Sequence, residues 1–297
     1  MIDAAELSVV IATRNRVDLL LGTIDALDAQ TQQVEVLVVD QGDGEDPRLA
    51  AAAAERPWLR VLRDPGRGLS RARNAGRRAT GSRWIAYVDD DCRPEPEFAE
   101  RLAEAIAAHP EVAWISGHVA DEGAPAGEYL PVTLFHVERE QELAGRWLHP
   151  WRIGFGVLMV VRRDVVEQLG GWDERLGAGV ARFPASEDMD FNYRLLRAGH
   201  RAFLTPAVRA SHHQWRTPDD LPALFEGYMK SWAAFAVKHL RQGDLRGGAW
   251  LWALGANDCA RMAGSSVRRR SRLRARVAAG KLRGLVAGTA LGLVTRW

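Results

Sequence analysis

Three consecutive carboxylates, Asp89, Asp90 and Asp91, end an apolar run in the segment YVDDDCRPEP. In extended backbone, residues two apart point to the same side, so Asp89 and Asp91 are expected on one side and Asp90 on the other. Two neighbouring carboxylates suit Mg²⁺ or Mn²⁺, which offsets their repulsion and leaves positions open for substrate phosphates. From these residues alone, the alternative is a polar strand end that leads into a helix.

Other polar groups could join that site. Asp40 ends a second apolar run and could accept hydrogen bonds from a ribose or a base, although it could equally begin the turn that follows it. The segment GRGLSRARNAG (Gly66–Gly76) runs from a glycine-rich turn into a predicted helix. It offers backbone amides and the side chains of Arg71, Arg73 and Asn74 to phosphate oxygens.

Two further candidates lie later in the chain. Glu187 and Asp188 open a predicted helix, with Ser186 at the N-cap position. A carboxylate there suits a general base, and it would equally suit electrostatic stabilisation of the helix start. His212 and His213 follow a strand-like run, and a neutral imidazole could complete a metal site or simply pack at the surface.

The elements that must position these groups alternate between strand and helix. Apolar runs predict strands at 7–12, 34–40, 59–62, 83–89 and 112–117, and helical spacing predicts helices at 16–30, 48–55, 70–80 and 96–108. This alternation predicts an α/β fold with a mostly parallel, Rossmann-like central sheet flanked by helices. Ligands of such sheets bind at the carboxyl ends of strands, where Asp40 and Asp89 lie.

The chain after residue 117 is less regular. Residues 118–150 are predicted to form a loop, 155–163 a strand, 186–199 a helix and 207–213 a strand, and the chain from 219 onward is predicted to be a helical extension. No internal repeat interrupts this order.

Charge is distributed unevenly along the 297 residues. The chain from Cys259 to Trp297 carries ten Arg or Lys and no acid, which leaves a net charge of −8 on the residues before it. Arg alternates there with Val and Leu, a pattern typical of a helix that lies on anionic lipid; a solvated helix or a nucleic-acid patch are the alternatives. The acidic remainder of the chain argues against nucleic acid. The apolar stretch Gly284–Val294 is shorter than the roughly 20 residues that span a bilayer, so we expect contact without crossing.

The cellular location follows from the start of the chain and from its cysteines. The chain begins with two acids before its first apolar run, which predicts no secretory signal. Cys92 and Cys259 are far apart and form no metal-ligand pattern or disulfide framework. We therefore expect a cytoplasmic protein, peripheral on the cytoplasmic face of the membrane if the basic tail binds lipid.

The ordered set of segments resembles the family 2 glycosyltransferases of GT-A fold. The matching segments are VVIATRNR, VEVLVVDQGDGED, GLSRARNAG, WIAYVDDD, GGWDERLGAG, SEDMDFNYRLLRAG and the surroundings of His212. The resemblance implies an inverting transferase that moves a sugar from a nucleotide-diphosphate sugar to a hydroxyl of a glycan or lipid-linked acceptor, with Mg²⁺ or Mn²⁺.

The resemblance also implies domains and residue roles. Residues 1–215 would form the GT-A domain, with a nucleotide-sugar-binding half at 1–117 and an acceptor-binding half at 118–215, and 216–297 the helical, basic region. The nucleotide sugar would be held by Thr13, Asp40, Arg73, Asp89 and Asp90. The metal would be held by Asp91, Asp89 and His212, and Asp188 would be the general base.

Three alternatives stay open at this point. A polyprenyl-phosphate sugar synthase has an acceptor that is already ionised and needs no base. A sugar nucleotidyltransferase could share the sheet and the metal site, but its usual glycine-rich, lysine-bearing N-terminal loop is missing here. A non-catalytic binding protein would need no particular set of acids. The helical C-terminal third leaves a homodimer open.

Overall fold

The computed structural model describes residue 3, residues 6–124 and residues 128–297. The strands are β1 (Leu7–Thr13), β2 (Glu35–Asp40), β3 (Leu59–Arg63), β4 (Trp84–Asp89), β5 (Cys92–Pro94), β6 (Trp114–Glu122), β7 (Gln141–Leu143), β8 (Leu158–Arg162) and β9 (Ala202–His213). The α-helices are α1 (Val17–Asp28), α2 (Pro47–Glu55), α3 (Leu69–Ala79), α4 (Phe98–Ala108), α5 (Arg163–Gln168), α6 (Glu187–Arg197), α7 (Leu221–Arg241), α8 (Leu245–Arg269) and α9 (Arg272–Val294). A 3₁₀ turn covers Pro150–Ile153.

The described residues group into two compact units. The first comprises the chain up to Gly123, Pro131–Asp173 and Phe191–Gln214, and the second comprises Ala124–Leu130, Glu174–Asp190 and Trp215–Trp297. All the named strands lie in the first unit, and α7, α8 and α9 lie in the second. The predicted boundary after residue 215 falls next to one of these division points. The predicted division after residue 117 falls inside β6.

The sheet of the first unit has a parallel half and a mixed half. Its order is β3-β2-β1-β4-β8-β6-β9-β5, with β7 beside β9. The pairs β3–β2, β2–β1 and β1–β4 are parallel, whereas β8 runs antiparallel between β4 and β6. The predicted class, an α/β fold with a mostly parallel central sheet and C-terminal helices, is confirmed.

Both faces of the sheet are covered, because successive side chains of a strand point to opposite faces. Val9 and Ile11 of β1 pack into a core with α1, α2 and α4, and Val10 packs into a second core with α3, α5 and α6. Strands buried on both faces are uniformly apolar, which is why they were recognisable as unbroken apolar runs.

Strand β5 was not predicted. It has three residues, ends at Pro94 and pairs antiparallel with β9 at the edge of the sheet. A strand this short shows no periodicity, and proline is tolerated there because an edge strand has one unpaired side. The predicted loop at 118–150 is also partly strand, since β6 continues to Glu122 and β7 lies at Gln141–Leu143.

In the second unit, α9 packs against α7 through glycines. They occur every fourth residue, on one side of the helix: Gly280, Gly284, Gly288 and Gly292. Each lies against backbone or side-chain atoms of α7, so the two helices approach without intervening side chains. Within the described residues α9 is the one helix long and apolar enough to cross a membrane, although Gly284–Val294 alone is too short.

Replacing Gly288 by Ala is expected to destabilise the second unit. A Cβ atom there would lie 2.0 Å from the carbonyl oxygen of Lys230 on α7, so the helices would have to separate. We expect a loss of about 1–3 kcal/mol in the free energy of unfolding, because the overpacking outweighs the better helix propensity of Ala. Urea denaturation measures it.

Gly264→Ala is the matched control. Gly264 lies in α8 with nothing within 4 Å of the added Cβ, so the same substitution should raise stability by roughly 0.5–1 kcal/mol. If the two substitutions changed the free energy of unfolding equally, the contact between Gly288 and α7 would leave room for a Cβ atom.

Candidate active site

The three acids of the sequence lie where β4 ends. Strand β4 stops at Asp89, the chain turns through Asp90 and Asp91, and β5 begins at Cys92. The guanidinium of Arg16 contacts both turn residues, with Nη1 3.2 Å from Asp90 Oδ1 and Nη2 2.5 Å from Asp91 Oδ2. Asp90 and Asp91 share this partner, and extended geometry ends at Asp89, so the spacing argument does not reach Asp91. Asp89 and Asp91 still lie close enough to interact electrostatically.

Arg16 shows that this turn accommodates a cation. The side chains of Asp90 and Asp91 are only 5% and 4% exposed, whereas Arg16 is 33% exposed and lies just before α1. Two carboxylates here already bind one positive charge, the guanidinium of Arg16. Carboxylate oxygens are also the ligands that Mg²⁺ and Mn²⁺ prefer. The residues present thus fit a divalent cation at Asp91.

Replacing Arg16 by Gln is expected to tighten binding of Mn²⁺ to the free protein. A divalent cation at Asp91 must replace the Arg16 contact, and a charge-assisted hydrogen bond contributes about 1.5–3 kcal/mol. We expect about tenfold tighter binding by titration calorimetry with MnCl₂.

Arg14→Gln provides the control for this experiment. Arg14 lies on the same loop and pairs with the exposed Asp43 at 2.6 Å instead of with the acidic turn. Unchanged Mn²⁺ affinity in both variants would show that Arg16 does not compete with the cation.

His212 is brought to Asp91 by strand pairing. Cys92 of β5 is in register with His212 of β9, and His212 Nε2 lies 3.4 Å from Asp91 Oδ1. Gln214 pairs with the backbone of Val132 and directs its amide nitrogen at His212 Nδ1, 2.9 Å away. Because Nδ1 faces a donor, the proton of the neutral ring lies on Nε2 and points at Asp91. To bind a cation through Nε2, the neutral ring would have to carry its proton on Nδ1 instead.

Arg73 lies behind Asp89. Its guanidinium is 2% exposed, 3.3 Å from Asp89 Oδ1 and 2.9 Å from the carbonyl oxygen of Gly156. It also lies over the ring of Trp172, with 5.1 Å between the guanidinium carbon and the ring centroid. The resemblance to the family implied that Arg73 lies near the donor. Its burial and its contact with Asp89 indicate that it holds Asp89 in position.

The three acids differ in their readiness to ionise. Burial raises the pKa of Asp89, with Asp91 adding to the effect, and burial raises the pKa of Asp90 to about 7. Burial also opposes ionisation of Asp91, but its contacts with His212 and Arg16 outweigh this and lower its pKa. The contacts of Asp91 therefore favour its carboxylate form.

Thr13 ends β1, which pairs with β4, and Asp40 ends β2, the next strand on the other side of β1. The hydroxyl of Thr13 donates to Asp90 Oδ2 at 2.8 Å, which links β1 to the acidic turn. Asp40 accepts the amide of Gly42 at 2.7 Å and pairs with the guanidinium of Arg63. Asp40 thus forms the turn that the alternative interpretation expected, and any ligand at Asp40 would also meet Arg63.

The glycine-rich segment is held by two residues that the sequence analysis missed. Gln41 accepts the amide of Gly68 at 2.9 Å and donates to Asp64 at 2.8 Å, and Asp64 pairs with Arg71 at 3.1 Å. The signal for Asp64 was its place before Pro-Gly, typical of a turn. Asn74 bonds both backbone groups of Trp172, so it is a structural residue instead of a phosphate ligand.

Asp188 lies in the second unit, at the start of α6. Ser186 precedes the helix and its carbonyl accepts the amide of Asp190, but its φ of 68° is left-handed where an N-cap residue is normally extended. Such strained positions are concentrated at functional sites. Asp190 is fully buried, 2.7 Å from Lys238 Nζ and 3.0 Å from His239 Nε2, whereas Asp188 is partly exposed. Asp190 is thus a structural acid, and Asp188 is the more accessible of the two.

A second group of possible metal ligands lies elsewhere in the first unit. His109, Glu111 and Glu142 place one donor atom each within 4.8 Å of one another. Arg201 pairs with Glu142, and the ring of His109 stacks on Phe203. These contacts explain the cluster as a surface ion-pair network.

Comparison with known families gives one match that spans most of the sheet. The model of glycosyl transferase family 2 matches residues 8–170 of this chain. The matched range includes Thr13, Asp40, Arg73 and the acidic turn, and it ends before Asp188 and His212.

Curated relatives extend further along the chain. A glucosyl-dolichyl phosphate glucuronosyltransferase of Haloferax volcanii is 25% identical over 238 residues, 76% of each chain. A pre-mycofactocin glycosyltransferase of Mycobacterium tuberculosis is 27% identical over 245 residues, 79% of this chain and 48% of the relative. The chain thus spans three quarters of one relative and about half of the other.

Solved structures share the fold. A mannosyltransferase of Pyrobaculum calidifontis, in complex with GDP-Man and Mn²⁺, has a TM-score of 0.62 at 18% identity over 97% of this chain and 87% of that one. TarS 1–349 of S. aureus, in complex with UDP-GlcNAc, has a TM-score of 0.59 at 17% identity over 79% and 66%.

Proposed function

Since this chain is a family 2 glycosyltransferase of GT-A fold, we propose that it is an inverting, metal-assisted enzyme that transfers a sugar to a hydroxyl of a glycan or lipid-linked acceptor. The donor is a nucleotide-diphosphate sugar. The observation that carries the proposal is the acidic turn Asp89–Asp91 at the carboxyl end of β4, with His212 beside Asp91 and Arg73 behind Asp89. Family membership argues against a sugar nucleotidyltransferase and against a non-catalytic role.

The donor is proposed to bind along the strand ends of the first unit. Asp40, with its partner Arg63, would contact the base and the ribose, and Thr13 would act through its hydrogen bond to Asp90. Asp89, oriented by Arg73, would face the ribose or the sugar. Thr13, Asp40 and Asp89 lie at the carboxyl ends of parallel strands. Ligands of parallel sheets bind at these ends, which supports the placement.

Mg²⁺ or Mn²⁺ is the proposed cofactor. Asp91 would hold it, with Asp89 and His212 as the other ligands, the latter through Nε2 of the tautomer that carries its proton on Nδ1. When bound, such a cation offsets the negative charge that grows on the leaving diphosphate. The bound Mn²⁺ of the Pyrobaculum structure supports this choice.

The transfer step is proposed to be a single displacement. The acceptor oxygen bonds to the anomeric carbon while the bond from that carbon to the diphosphate breaks, which inverts the configuration. The hydroxyl proton passes to the carboxylate of Asp188, and the nucleoside diphosphate leaves. One base is enough for this chemistry, and no nucleophilic side chain is required.

The second unit is proposed to bring the enzyme to a membrane, on the cytoplasmic face. Its basic residues and the exposed apolar side chains of α9 support this location, and the name of the Haloferax relative, which includes dolichyl phosphate, supports a lipid-linked acceptor. We expect no nucleic-acid partner; a dimer is left open.

Thermal-shift screening tests the proposal. Nucleotide sugars are added with MnCl₂, and the best binder is then assayed for donor hydrolysis. At least one is expected to raise the unfolding temperature only when Mn²⁺ is present. No stabilisation by any nucleotide sugar would overturn the transferase proposal.

A further inference from the structure

The positive charge of the C-terminal region is only partly neutralised. Four of its ten cationic side chains pair with carboxylates: Arg274 with Glu128, Arg276 with Asp219, Lys281 with Asp258 and Arg283 with Glu226. In the portion of the chain that the structure describes, no carboxylate lies within 4.0 Å of the others. These are Arg261, Arg268, Arg269, Arg270, Arg272 and Arg296. Four of the six, Arg268, Arg269, Arg270 and Arg272, lie at the turn between α8 and α9, and Arg261 lies earlier in α8.

A cleft opens at this same turn. It has a volume of about 460 Å³, and its polar lining includes Arg261, Arg268 and Arg274. The one carboxylate in the lining, Asp258, is engaged by Lys281 Nζ at 2.6 Å. Arg274 is held in place by Ser265 Oγ at 3.2 Å. The cleft thus offers guanidinium groups to an anion, and its volume is in the range of small-ligand sites.

Guanidinium groups in this number favour a phosphate. An Arg side chain presents paired N–H donors that match two phosphate oxygens. Arg274 is paired with Glu128 and Asp258 with Lys281, so Arg261 and Arg268 leave the cleft cationic. Arg261 and Arg268 are exposed, so a ligand reaches them from solvent.

Exposed apolar side chains of α8 and α9 distinguish a lipid from a soluble anion. Val267, adjacent to Arg268, is 78% exposed. Along the outward side of α9, Leu282, Val286 and Leu293 are 57%, 64% and 58% exposed. A soluble phosphate or a nucleic acid would leave these side chains in water, whereas an anionic membrane takes up both the charge and the apolar surface.

The inward side of α9 indicates that the helix lies along the surface. That side is committed to α7 through its glycines, and Lys281 is buried there against Asp258. A helix with one side so engaged exposes only its other side to lipid.

We propose that the α8–α9 cleft binds the phosphate headgroup of an anionic lipid, with the outward side of α9 resting on the membrane. This inference builds on the membrane location in the proposed function. The cleft would bind the phosphate of a bilayer lipid at a defined site, in addition to the general attraction of a basic surface.

Vesicle co-sedimentation of the full chain tests the proposal. Vesicles of phosphatidylcholine are compared with vesicles that also contain phosphatidylglycerol, and binding is expected only to the latter. Arg261→Gln with Arg268→Gln should weaken binding about tenfold or more, since each cation near an anionic surface contributes about 1 kcal/mol. Both side chains are exposed, and circular dichroism checks that the variant is folded.

Charge-conserving variants separate a cleft from a basic patch. Arg261→Lys with Arg268→Lys keeps the charge but removes the paired donors, and should weaken binding several-fold. Arg269→Lys with Arg272→Lys, outside the cleft lining, should leave binding unchanged. If both double Lys variants bound vesicles equally well, the proposal that the cleft is the binding site would be overturned.

Other occupants appear as different results. Thermal stabilisation by glycerol phosphate without vesicle binding would assign a soluble phosphate and overturn the lipid. Oligonucleotide binding that is lost in the Gln variant, without vesicle binding, would also overturn it. A dimer that is detected by light scattering and does not bind vesicles would overturn the lipid proposal as well. Donor binding measured on the same variants should be unchanged, so a failed lipid test is distinguishable from a failed transferase test.

Discussion

Replacing Asp91 by Asn is expected to lower kcat/KM for sugar transfer on the order of 10³-fold. The substitution keeps the shape of the side chain and removes the charge that Arg16 and His212 contact at 2.5 Å and 3.4 Å. Because those contacts lower the pKa of Asp91, they favour its carboxylate form, which is the form that binds a divalent cation. The variant should also lose the Mn²⁺ dependence of donor binding in titration calorimetry.

Asp18→Asn is the control for this prediction. Asp18 is a largely exposed acid at the start of α1, paired with Arg48, and it has no contact with the acidic turn. It should retain wild-type rates. An Asp91→Asn protein that transfers sugar at the wild-type rate would exclude the proposed metal site at β4.

The second large effect is expected from Asp188→Asn, which should lower kcat about 10²–10⁴-fold and leave the donor Kd unchanged. The amide cannot take the acceptor proton, but it is isosteric with the carboxylate. Asp188 is partly exposed, in contrast to the buried Asp190 two residues later. Single-turnover kinetics with bound donor separate the chemical step from binding.

This substitution also separates two acceptor classes. A lipid phosphate acceptor is already ionised, so a polyprenyl-phosphate sugar synthase would retain activity with Asn at this position. Asp164→Asn is the control, because Asp164 is also an acid in a first helical turn but pairs with Arg162 on the surface. Full activity of Asp188→Asn would move the assignment to the synthase.

The sequence predicted the sheet and the position of the acids, because both depend on local pattern. Unbroken apolar runs mark strands buried on both faces, and Asp40 and Asp89 directly end two of them. The sequence did not predict the partners of these acids. Arg16 reaches Asp91 from 75 residues away, and Arg63 reaches Asp40 from 23 residues away. These contacts form only when the chain is folded, so the spacing of residues in the sequence does not predict them.

The role of Asp90 illustrates the same limit. A strict strand would have turned it away from Asp91, yet the chain leaves the strand at Asp89 and directs both acids to Arg16. The exact residue at which β4 ends therefore decides which side chains meet. His212 was identified in the sequence, but its contact with Asp91 depends on β5, whose three residues gave no signal.

The glycines of α9 have a consequence for how this enzyme can diversify. Gly280, Gly284, Gly288 and Gly292 mark the side of α9 that meets α7, and Leu282, Val286 and Leu293 on the outward side are largely exposed. A single-residue insertion before Gly280 would rotate everything preceding it by about 100° relative to the glycines, and should be rejected. Substitutions on the outward side cost the helix pair little. Variants of this chain could therefore change the outward surface of α9 while α7 and α9 keep the same packing.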